Sequence, residues 1–180
     1  NASAGHRSLM GRLQPEGWAR LEQFVEALHE VSRLRGQLLT IRDMRYIDVA
    51  AIDAMVTSLD AAHDQVGAAT AAFLLNPEAL APFDGRLNEL EAASGKAATA
   101  NQLAEVLRGM QVVAADLDML SELMAGLKVD DATKRTQVVD AIAALYARLN
   151  QAKARTDQRR KTLGSSEAVA QFGAQFALFS

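Results

Sequence analysis

The run from Asp130 to Leu163, DDATKRTQVVDAIAALYARLNQAKARTDQRRKTL, holds more than thirty residues without a Gly or Pro. Its larger apolar residues fall at Val138, Ile142, Leu145, Leu149 and Ala152, in steps of 4, 3, 4 and 3. That spacing marks one narrow helical face of the kind that forms the seam of a coiled coil. A chain built around such a rod must supply other helices to cover its seam.

Similar spacing recurs upstream. The first helix is expected from Pro15, suited to a helical N1 position, to Leu39, with Leu21, Phe24, Leu28, Val31, Leu34 and Leu38 on its face. Asp48 is placed to N-cap a second helix, whose face reads Ile52, Met55, Leu59, Ala62, Val66, Ala69 and Phe73. Asn76-Pro77 should kink or break it, because proline removes an amide donor and crowds the preceding turn. The face nevertheless resumes in register at Leu80, Phe83, Leu87 and Leu90.

Ser94-Gly95-Lys96 reads as a turn with Gly95 as a helix C-cap. It is not a phosphate loop, since Leu90 and Ala97 stand where that motif needs Gly and Ser or Thr. A third helix, Thr99 to Leu127, carries Leu103, Val106, Met110, Val113, Leu117, Leu120, Met124 and Leu127. A turn at Lys128-Val129-Asp130, with Asp130 or Asp131 as N-cap, makes the third and fourth helices an antiparallel hairpin. Gly164 is expected to end the fourth helix, and Ser165 or Ser166 to cap a truncated fifth.

The chain is 49% hydrophobic yet only 5% aromatic, a balance that favours thin helix-on-helix packing over a sheet. The expected fold is all-α: an elongated antiparallel helical bundle or coiled coil of four to five helices over residues 15–180, after a flexible segment at 1–14. The NASAG opening is consistent with a cloning scar, and Phe172, Phe176 and Phe179 crowd the other end, so the chain reads as an excerpt of a longer protein. A net charge of -3 gives no general attraction to nucleic acid or anionic membrane. There is no cysteine, which removes disulfides and thiolate zinc sites. Runs such as Gly67 to Leu75 are too short to span a bilayer, and a cytoplasmic location is the default expectation.

Two clusters stand out from the seams. Arg42, Asp43, Arg45 and Tyr46 form a dense charged and aromatic corner, read as a partner-contact surface or as a turn held by Arg–carboxylate pairs and an N-cap. Lys153, Arg155, Arg159, Arg160 and Lys161 stand against Asp157 alone and are candidate phosphate contacts, although cations also suit a helix C-terminus. His6, His29 and His63 lack metal-ligand spacing, and no catalytic constellation is visible.

Three stretches, LLTIRDMRYIDVAAIDAM, FLLNPEALAPF and LKVDDATKRTQVVDAIAALYARLNQAKARTDQRRKTLGSSEAVAQF, resemble the helical coiled-coil region of large bacterial AAA-type ATPases assigned to DNA repair. The resemblance runs from about Gly36 to the C-terminus. It implies a non-catalytic arm or scaffold that positions domains or mediates protein–protein association, including self-association. It also implies that ATP and magnesium bind elsewhere in the parent, for neither Walker motif occurs here. The partner is then the remainder of that ATPase. Competing readings are a DNA-binding module that uses the basic helix end and a bundle that senses a small ligand between its helices.

Overall fold

The computed structural model describes residues 2–44, 47–126 and 132–178. Among them the chain is all-helical, with α1 (Ala2–Arg12), a 3-10 turn (Pro15–Gly17), α2 (Leu21–Ile41), α3 (Val49–Leu74), α4 (Ala81–Lys96), α5 (Ala100–Gly126) and α6 (Ala132–Leu178). Six α-helices among the described residues stand against the four to five expected, because residues 2–12 coil into α1 and the interruption near Asn76-Pro77 separates α3 from α4. No described helix is long and apolar enough to cross a membrane. The described residues form two compact units, 2–79 with 123–126 and 80–122 with 132–178.

In the first unit α2 and α3 run antiparallel. Arg42 meets Asp53, Arg35 meets Asp60 and Phe24 meets Phe73, so the sequence number falls on one helix as it rises on the other. Pro15 opens the 3-10 turn, and α2 itself starts only after Arg20. There the Gln23 side chain accepts from the backbone amides of Ala19 and Arg20, each at 3.0 Å. Trp18 packs edge-on against Phe24 at 5.2 Å. Residues 2–12 are not the flexible segment expected: Leu9 is buried in a cluster with Val31, Leu38, Ile52 and Leu59, and that apolar contact orders the helix.

Asp48 caps α3 by accepting from the Ala51 amide at 3.0 Å. The α3 face follows its expected spacing as far as Val66 and then drifts. Gly67, Thr70, Ala71 and Leu74 are buried, whereas Ala69 and Phe73 are only half-buried. Steps of four accumulate a rotation that a strict seam would not, and Gly67 allows the close approach, since a Cβ there would stand 3.0 Å from Leu123 Cδ2.

The second unit is an up-down-up arrangement of three helices. Arg86 with Asp116, and Leu90 beside Gly109, make α4 and α5 antiparallel. Tyr146 with Asp118, and Glu167 with Ala100, make α5 and α6 antiparallel. The expected seams are its core, for Leu103, Val106, Met110, Val113, Leu117 and Leu120 on α5 are buried together with Val138, Ile142, Leu145, Leu149 and Ala152 on α6. Leu127, the turn at 128–130 and the Asp130/Asp131 cap lie outside the described residues.

Two expected boundaries move. The helix preceding Ala97 runs through Gly95 to Lys96 and ends where Ala97 turns extended at φ -63, ψ 133. A glycine cap is unnecessary there because Arg159 takes up the exposed carbonyls, as described below. Nor does Gly164 end α6, which continues as one helix of 47 residues. A helical glycine costs only about 1 kcal/mol relative to Ala. Beyond Gly164, the Glu167 carboxylate accepts from the Ala100 amide at 3.0 Å and ties α6 to the N-terminus of α5.

Candidate functional site

The corner after α2 is built by Arg42 and Asp53. Arg42 donates through Nε to Oδ1 at 2.7 Å and through Nη2 to Oδ2 at 3.3 Å. This fork raises the Arg42 pKa and, by the same hydrogen bond, lowers that of Asp53. With Asp48 spent on the α3 N-cap, the local chemistry shown is that of a helix corner. Asp43 is exposed, and Arg45 and Tyr46 lie outside the described residues.

The five clustered cations Lys153, Arg155, Arg159, Arg160 and Lys161 of α6 divide by what they touch. Arg160 and Lys161 both reach Asp157, at 2.9 and 3.2 Å, as neighbours one helical turn away. Arg159 turns inward and donates through Nη1 to the Ser94 carbonyl and through Nη2 to the Ala97 carbonyl, the latter at 2.7 Å. It thereby satisfies the C-terminus of α4 from another helix. Lys153 is half-buried, and Arg155 is exposed; neither has an ion pair or side-chain hydrogen bond among the described residues. The structure thus gathers Arg155 and Arg159 beside α4 and sends Arg160 and Lys161 to Asp157.

Between the last turns of α4 and the middle of α6 lies an open groove of about 260 Å³, lined by Glu91, Ser94, Gly95, Ala152, Arg155, Thr156 and Arg159. Thr156 is buried in line with the α6 seam, and its hydroxyl pairs with that of Ser94 at 2.9 Å. Glu91 is held on the groove rim by Arg148, which donates through Nε to Oε1 at 3.1 Å and through Nη2 to Oε2 at 3.4 Å. Arg148 also reaches Asn88 and, at 3.4 Å, Asp84. Asp84, Asn88 and Glu91 follow helical spacing along α4, so one guanidinium on α6 gathers a whole polar stripe. Sequence reasoning missed this cluster; the 84, 88, 91 spacing was its visible trace.

Two further polar anchors tie the unit together. Arg86 pairs with the buried Asp116 at 2.9 Å and lies over the Phe83 ring at 5.4 Å. Tyr146 donates its phenol proton to Asp118. Burial first, and that hydrogen bond second, raise the Tyr146 pKa against an opposing contribution from Ser121.

Past Gly164 the apolar face of α6 changes sides. Val169, Phe172 and Phe176 are 71%, 70% and 69% exposed and lie roughly half a turn around the helix from the seam. Phe172 and Phe176 stack at 6.5 Å. This reversal explains why the sequence reads as two helices although the backbone is one. No group of three or more His, Asp or Glu among the described residues is placed to hold a metal ion.

The fold and these contacts define a helical-bundle protein whose polar clusters chiefly join helix to helix. Within it, residues 78–162 match the model of a domain family of unknown function, DUF7902, over α4, α5 and most of α6. No curated protein and no solved structure matches the chain.

Proposed function

We propose that the chain is a non-catalytic helical scaffold, a coiled-coil arm of a large bacterial AAA-type ATPase concerned with DNA repair, which docks on the remainder of that ATPase. The resemblance outlined above supports the parent. The observation that carries the docking role is the second apolar face of α6. Contiguous exposed apolar surface marks interaction sites, and the Val169–Phe172 face points away from the seam that holds the bundle. A rod with one face committed to its own bundle and another exposed is suited to joining two bodies. The reading places ATP, magnesium and turnover in the parent's ATPase region.

The test starts from the gene, where coding sequence flanking these residues is expected to contain Walker motifs. The ATPase region is then produced separately and mixed with this chain. A complex resolved by light scattering, and lost with Phe172→Glu, supports the reading. Flanks without Walker motifs, ATP hydrolysis by the chain alone, or a complex indifferent to Phe172→Glu would overturn it. The DNA-binding alternative gains little from α6, where Arg159, Arg160 and Lys161 are already engaged within the chain.

A further inference from the structure

We propose that the α4–α6 groove binds a small oxyanion, the phosphate or carboxylate group of a small metabolite, with Arg155 as its charged ligand. Charge supplies the first reason. Arg155 and Arg159 stand four residues apart on α6 and line the same groove, an arrangement of like charges that destabilises a helix. Arg159 is relieved by the Ser94 and Ala97 carbonyls, whereas Arg155 has no counter-charge among the described residues. Glu91 is the one carboxylate in the lining, and Arg148 grips both of its oxygens. An anion entering the groove therefore meets uncompensated positive charge.

Hydrogen bonding supplies the second. Ser94 and Thr156 carry two hydroxyl protons, and their mutual contact at 2.9 Å uses one. With the buried Thr156 donating to Ser94, the Ser94 proton is left as a donor at the groove wall. The carbonyl end of α4 would repel an anion, but the Arg159 guanidinium covers those carbonyls and presents its cationic plane in their place. Gly95 has open space where a Cβ would stand, which leaves the approach clear.

Volume sets the class of ligand. About 260 Å³ falls below the roughly 300–1,000 Å³ of pockets that enclose drug-sized ligands. The groove suits a single phosphate or a short carboxylic acid, not a nucleotide.

The probes are inorganic phosphate, succinate and a single-stranded oligonucleotide, added to the isotopically labelled chain at constant ionic strength. The Gly95 and Ser94 amide resonances are followed by NMR. Saturable shifts with phosphate or succinate are expected, with affinity at least tenfold weaker in Arg155→Gln and unchanged in Lys153→Gln. Arg155 is exposed, so its replacement leaves the core untouched. Shifts that grow linearly without saturation, or that persist equally in Arg155→Gln, would overturn the site. Saturation by the oligonucleotide alone would also overturn it, in favour of a nucleic-acid backbone.

Discussion

Replacing Leu149 by Ala tests whether the α6 seam is the core of its unit. Leu149 is completely buried, at 0% exposure, and is flanked along the seam by Leu145 and Ala152. The substitution removes three carbons, worth about 2.4 kcal/mol at roughly 0.8 kcal/mol for each buried CH₂. A cavity contribution adds to this where the surroundings cannot collapse, and the usual total is about 3–5 kcal/mol. In a chain of this length 1 kcal/mol lowers the melting temperature by roughly 2–4 °C, so a fall of at least about 6 °C is expected. Val139→Ala is the control. Val139 is on the same helix but 45% exposed, and its replacement should change stability by no more than about 0.5 kcal/mol. Urea unfolding followed by circular dichroism measures both. A Leu149→Ala loss under about 1 kcal/mol, or equal losses from both variants, would refute the packing argument.

Gly164→Ala should stabilise the chain by about 1 kcal/mol, because the new Cβ stands at an ordinary 3.9 Å from Ala100 Cβ inside a continuous helix; destabilisation would show that a helix ends there after all. His6 buries Nε2 without a hydrogen-bond partner among the described residues, so His6→Leu is expected to raise unfolding free energy by about 1 kcal/mol in the same urea assay. With Tyr46→Phe as background, the remaining phenol, Tyr146, should titrate at 295 nm above its ordinary 10.0, and Asp118→Asn should return the midpoint only part of the way because burial, the larger cause, persists. A folded pKa above the unfolded one gives stability that is present below pH 10 and lost as pH rises through the folded value, so alkaline unfolding should begin earlier than in Tyr146→Phe.

The seams of α5 and the first half of α6 were legible because each step of 3 or 4 keeps a residue on the same face. Asp48 was legible because an N-cap acts on amides only a few residues away. Long-range polar pairs were not. Arg148 meets Glu91 across 57 positions, and Arg159 meets backbone carbonyls, which no side-chain pattern records. The course of α6 past Gly164 was obscured by two apolar faces on opposite sides, whose periodicities read as separate helices. α1 was missed because its order comes from Leu9 joining a tertiary cluster, while its own sequence, rich in Gly, Ser and Ala, carries little pattern.

The hydroxyl pair of Ser94 and Thr156 has a consequence for alignment. A seam of Leu, Val and Met looks much the same after a slide of seven residues, so apolar packing alone discriminates weakly between α6 and a copy of itself shifted by two turns. Such a slide would set Thr156 against the fully buried Leu87 and forfeit its bond to Ser94. Losing that buried hydrogen bond costs about 0.5–1.5 kcal/mol. One threonine in an otherwise apolar seam thus works as a locating pin: it adds little strength, and it fixes which turn of α6 lies beside which turn of α4.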